Sequence, residues 1–165
     1  MEKSDLTSGI KTWLEVFLKK RYSSDMVVLD VITPESNLSK LANSYVKSMA
    51  NYSSWEFKPD VIGILKHRLS GAIRLAIVNR TTSSTSLKEI GELHTYAKVL
   101  DAEFAILIST NGPSNEVNLL LLDQPIRDRL LQYNPSKSMF LATWDINKNE
   151  IAQNSVLPLE YRNKL

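Results

Sequence analysis

Trp55-Glu56-Phe57-Lys58-Pro59-Asp60-Val61-Ile62-Gly63-Ile64 sets a Pro-Asp pair at the head of an apolar run, and this stretch decides the fold. Two strand-like runs, Phe57 to Arg68 and Ala72 to Arg80, are separated only by a short segment containing Ser70-Gly71, the pattern of a β-hairpin. Their side chains alternate between the two faces. Toward the N-terminus, Met26-Val27-Val28-Leu29-Asp30-Val31-Ile32 is short, β-branched and almost wholly apolar, as in a strand buried on both faces, and Thr33-Pro34 ends it. Ahead of it Leu6, Ile10, Trp13, Leu14, Phe17 and Leu18 recur at helical spacing, with Lys19, Lys20 and Arg21 in the last turn, so a helix is expected over 5–21. Leu38, Leu41, Ala42, Tyr45, Val46 and Met49 form another such stripe, predicting a helix within 37–50 capped by Ser36 or Asn37.

Toward the C-terminus, the polar tract Thr81 to Thr85 runs into Ser86-Leu87-Lys88-Glu89, a capping-box pattern that predicts a helix over 86–100. The apolar strand Glu103 to Ile108 follows, and a helix entering such a strand predicts a crossover between parallel strands. After Asn111-Gly112-Pro113, Val117 to Leu122 reads as a strand, Pro125 to Tyr133 as a short helix capped by Asp123, and Met139 to Trp144 as a strand. A turn over Asp145 to Asn149 leads to an edge strand near Ile151 and a loose tail from Pro158. The order α-β-α-β-β-α-β-β-α-β belongs to the α/β class, a central mixed sheet flanked by helices.

Composition bounds the chemistry. The chain has 165 residues, one domain's worth, without an internal repeat or interdomain linker. Without Cys, thiolate zinc sites, iron–sulfur clusters and cysteine nucleophiles are excluded, and two His leave any metal to oxygen donors. A net charge of +2, from 20 basic and 18 acidic residues, does not by itself announce a nucleic-acid or membrane protein. No run approaches the ~18 apolar residues of a membrane span, and Met1 to Tyr22 lacks a signal-peptide pattern, so no membrane partner and a cytoplasmic location are expected.

A Pro-Asp leading an apolar strand, a hairpin partner with a polar end, a helix reading Glu92-Leu93-His94-Thr95-Tyr96-Ala97, and a following apolar strand together resemble the PD-(D/E)xK nuclease superfamily. The resemblance spans about residues 5–109. It implies a restriction-endonuclease-like core, α-β-β-β-α-β, with 110–165 as a C-terminal extension of one domain over 1–165. The family's chemistry sets two carboxylates and a lysine around a divalent ion such as Mg²⁺. By that resemblance Asp60 is the first acid and a metal ligand, whereas Asn79 stands where the second acid belongs and Thr81 where the lysine belongs. Shifting the register by two pairs Ile77 with Asn79, a poorer match. A neutral amide and a hydroxyl do not replace a carboxylate and an ammonium, so metal affinity and cleavage are expected to be weak or lost. Some relatives move a catalytic group onto the next helix, where Lys88, Glu89 and Glu92 stand and Glu92 is best placed. Against relocation, Lys88 and Glu92 form an ordinary i,i+4 pair, as do Glu15 and Lys19, and Glu89 is accounted for by the capping box.

Lys66, His67, Arg68 and Arg74 crowd the proposed hairpin tip, with Arg80 at its far end. Lys66, Arg68, Arg74 and Arg80 are candidate phosphate contacts, weighed equally against a charged loop that keeps the hairpin soluble. His94 reads as a half-buried helix residue, and Trp13, Trp55 and Trp144 as core anchors. The expected function is a non-catalytic domain that binds DNA or serves as a subunit in a nucleic-acid-processing or restriction system, with no cofactor. Two alternatives stand beside it: a Mg²⁺-dependent DNA endonuclease using Asp60 with a relocated Glu92, and a scaffold for homodimerisation or a partner protein.

Overall fold

The computed structural model describes residues 3–160 and residue 165. Helix α1 (Lys3–Arg21) precedes strand β1 (Met26–Ile32). Strands β2 (Val61–His67) and β3 (Ile73–Thr81) form the expected hairpin, and helix α3 (Leu87–Leu100) carries the chain into β4 (Phe104–Ser109), parallel to β3. Between β1 and β2 lies one short α-helix, α2 (Ser44–Lys47), flanked by 3-10 turns at Leu38–Lys40 and Tyr52–Ser54. Helices α4 (Asn115–Leu122) and α5 (Gln124–Leu131) follow, then β5 (Gln132–Asn134), β6 (Lys137–Ser138), β7 (Phe140–Asp145) and β8 (Glu150–Ile151). The six-stranded sheet runs β1-β2-β3-β4-β7-β8, with β3, β4 and β7 mutually parallel and the other neighbours antiparallel. The molecule is α/β with a mixed sheet flanked by helices, and no helix among the described residues is long and apolar enough to cross a membrane.

Strand alternation divides the core in two. Even positions of β3 and β4, such as Ala76, Val78, Phe104 and Ile106, meet Leu6, Ile10, Leu14 and Leu18 of α1. Odd positions, Leu75, Ile77, Ala105 and Leu107, meet Ile90, Leu93 and Ala97 of α3 on the opposite face. Gly63 lets α1 settle onto β2: a Cβ there would stand 2.4 Å from a Leu18 methyl. Gly71 turns the hairpin with φ of +72°, a backbone conformation that L side chains rarely adopt.

Four expectations are corrected. Val117 to Leu122 is helical, because Val117 and Leu121 at i,i+4 enter the core and Ser114 Oγ accepts the Val117 N–H at 3.2 Å. Leucine runs fit either period, so the burial of Val117 and Leu121 decides here, and leucine's helix propensity agrees with it. The stripe over 37–50 breaks into a 3-10 turn (Leu38–Lys40) and α2, since Asn43 Oδ1 caps Tyr45 N–H at 3.0 Å and Val46 N–H at 3.2 Å and starts the helix late. β1 is an edge strand with Val27 exposed, not one buried on both faces. Of the tail expected to be loose from Pro158, Pro158 itself is buried, next to Leu157, whose backbone exchanges hydrogen bonds of 2.8 and 2.9 Å with Leu141, whereas Leu159 and Glu160 are exposed. Residues 161–164 of that tail lie outside the described residues.

Candidate functional site

Register brings the predicted residues together. Val61 pairs with Val78, so Asp60, just ahead of β2, lies across from Asn79 at the polar end of β3, and its N–H reaches Val78 O at 3.0 Å. Asp60 shares a face with Ile62 and Ile64; Asn79 and Thr81 share that face with Leu75 and Ile77. All three therefore sit on the α3 side of the sheet, where β2 begins and β3 ends. Asp60 Oδ2 accepts the backbone N–H of Arg80 at 2.8 Å, which ties the carboxylate to the neighbouring strand. Thr81 Oγ1 lies 2.9 Å from Ser83 Oγ and accepts the Ser83 N–H at 3.2 Å, so the hydroxyl shapes the turn into α3.

Helix α3 brings a second acid to this corner. Its start is fixed by the capping box: the Glu89 carboxylate accepts the Ser86 N–H at 2.5 Å and hydroxyl at 2.6 Å. One turn on, Glu92 Oε1 accepts the Tyr96 hydroxyl at 2.8 Å, and no ion pair joins it to Lys88 among the described residues. The Tyr96 ring stacks on Phe57 with centroids 4.5 Å apart. Burial, the bond to Glu92 and the charges of Glu92 and Asp60 push the Tyr96 hydroxyl up to about 12, so it stays protonated as a donor. Tyr96 thus senses both carboxylates.

Two buried polar atoms on the same face lack a hydrogen-bond partner among the described residues, Asn79 Oδ1 and Ser109 Oγ. Ser109 ends β4 beside Thr81 and Thr143. Sequence reasoning missed Ser109, although its even spacing from Leu107 puts it on the α3 face. It also passed over Lys58, which is exposed two residues before Asp60, at the sheet end where α3 starts with exposed Lys88.

The basic candidates do not join this corner. Asp60 and Lys66 stand at opposite ends of β2, about 20 Å apart at ~3.3 Å per residue. Arg68 donates from Nε and Nη2 to Ser23 O at 3.2 and 3.0 Å, and Arg74 donates from Nη2 to the Asp101 carbonyl at 2.7 Å. Arg74 also pairs with Asp101 at 3.2 Å and with Glu103 at 3.5 Å, while Lys137 reaches Glu103 at 3.0 Å. Arg80 Nε donates to Thr7 Oγ1 at 2.6 Å on the α1 side of the sheet. Lys66 is exposed at the tip. His94 is half-buried with Nε2 2.9 Å from Gln132 O, and Trp55 and Trp144 are core residues.

For a divalent cation the donor set fits poorly. Asn79 supplies an amide oxygen and Thr81 a hydroxyl beside one carboxylate, and no three Asp, Glu or His among the described residues gather around one point. Glu92, the nearest further acid, is engaged by Tyr96. Chemically the corner offers a fixed acceptor, a protonated phenol and two unsatisfied polar atoms. Comparison of this chain with models of known protein families, with curated proteins and with solved structures finds no match.

Proposed function

We propose that this chain is a nuclease-fold domain without phosphodiester cleavage that binds DNA, alone or as a subunit in a nucleic-acid-processing or restriction system. The observation that carries this reading is Asp60 standing across from Asn79, with Thr81 on the same face, at the end of a hairpin that is followed by a helix and a parallel strand, an arrangement that supports the resemblance to the nuclease core. One carboxylate with an amide and a hydroxyl holds too little charge for the metal that cleavage needs. Lys66 at the tip and Lys58 and Lys88 at the opposite end are the exposed cations that phosphates would meet.

Duplex affinity measured against salt concentration tests it. Binding should weaken steeply as salt rises, and Lys66→Gln, Lys58→Gln and Lys88→Gln should each lower the slope by about one where the lysine touches a phosphate. Sedimentation that shows no duplex uptake at low salt, but self-association or capture of a partner protein, would make the chain a scaffold instead. Glu92, Tyr96 and Asp60 acting together favour the second reading, a relocated active site. Cleavage with Mg²⁺ or Mn²⁺ that disappears in Asp60→Ala would replace the non-catalytic reading with that one.

A further inference from the structure

Helix α4, the start of α5 and the segment after β8 enclose a groove of about 650 Å³, none of whose lining residues belongs to the Asp60 corner. Leu119, Leu121, Leu122, Leu157, Pro158 and Leu159 line it. Val117 and Leu121 point α4 into the core, which leaves Leu119 69%, Leu122 80% and Leu159 56% exposed. Large apolar side chains grouped on a surface mark a binding site more often than chance placement does. The charged group in the groove is Arg127, whose Nε is buried and donates to no acceptor among the described residues. No carboxylate lies within ion-pair distance of it among the described residues.

We propose that this groove binds a small amphipathic monocarboxylate, its chain along Leu119, Leu122 and Leu159 and its carboxylate against Arg127. With Nε shielded, the guanidinium meets a ligand end-on, its two Nη groups forming a fork that matches a carboxylate's two oxygens. The volume falls within the ~300–1,000 Å³ of small-ligand sites, whereas a stable protein interface needs ~20–30 residues a side. Asp128 and Glu160 line the adjoining polar pocket that Arg127 shares, together with Lys137. Asp128 and Glu160 offset Arg127 and Lys137, which leaves no surplus positive charge for the second negative charge of a dianionic head group.

Titration calorimetry on the full chain, with decanoate, decanol and decyl phosphate below their micelle concentrations, tests the proposal. Decanoate should fill one saturable site and bind more tightly than decyl phosphate. Arg127→Gln should weaken decanoate about tenfold and leave decanol unchanged, as loss of a charge-assisted pair requires. Leu119→Asp with Leu122→Asp, both at exposed positions, should abolish binding of both ligands while circular dichroism stays native. Unsaturable uptake, equal loss of decanoate and decanol in Arg127→Gln, or binding that survives the leucine changes would overturn the assignment. So would a dimer that buries the groove and takes up no decanoate.

Discussion

The two ends of the β2–β3 hairpin treat polar groups in opposite ways. At the tip, Arg68 is anchored on Ser23, and Arg74, Asp101, Glu103 and Lys137 neutralise one another. At the far end Asp60 is held by a single backbone N–H, and Asn79 Oδ1 and Ser109 Oγ are buried without partners. A charge cluster therefore does not by itself mark a site: the dense one is internally satisfied, and the sparse one carries the unmet hydrogen-bonding capacity.

The largest effect is expected at the satisfied end. Glu103→Ala takes from Lys137 its ion-pair partner and from Arg74 one of two, at side chains 25% and 27% exposed, and should cost about 2 kcal/mol, between the values for surface and buried pairs. A denaturation midpoint unchanged by this substitution would break the contrast. Asp60→Ala removes a charge-assisted hydrogen bond from a half-buried carboxylate and should cost about 1–2 kcal/mol in urea unfolding.

Two titrations sharpen the contrast further. Burial, Glu92 and Asp60 raise the Tyr96 hydroxyl, so its contribution to stability is complete below the ordinary tyrosine range and is lost as pH climbs toward about 12. Ultraviolet titration should show the tyrosine moving back toward its ordinary value in Glu92→Gln, and an unmoved transition would separate the two residues. At the other end, Asn134 first and then Arg74 hold the Asp101 carboxyl below its ordinary value. Its small contribution is present above the unfolded carboxylate value and fades as pH falls through the lower, folded one. Acid unfolding of Asp101→Asn should accordingly lose part of its pH dependence.

The smallest change tests the unmet capacity directly. Ser109→Ala removes a buried hydroxyl that bonds to nothing, and stability should stay within about 0.5 kcal/mol or rise, since only a desolvation cost is relieved. A loss above 1 kcal/mol would mean that Ser109 is satisfied after all.

Local chemistry made much of the architecture legible. The hairpin follows from two apolar runs around Ser70-Gly71, α3 from its capping box, and the parallel β3–β4 pair from the crossover between them. Asp60, Asn79 and Thr81 came together because strand parity and register place them on one face. The leucine run of α4 was misread because its four consecutive apolar residues carry no period, and burial of Val117 and Leu121 against the sheet chooses the helix. The broken stripe at 37–50 shows the reverse, a helical period overruled by the cap at Asn43.

By itself the amino-acid order determined the elements whose signals are local: periodicity, caps, turns and the alternation that puts a lone aspartate beside an amide and a hydroxyl. Only the tertiary structure decided which charges are available. Arg74 and Arg68 look free in a linear chain and are engaged when Asp101 and Ser23 arrive from distant segments, while Arg127 Nε and Ser109 Oγ are buried with nothing to meet them among the described residues. Pairing across dozens of residues depends on which surfaces the sheet brings within hydrogen-bond reach, and no spacing along the chain encodes that distance.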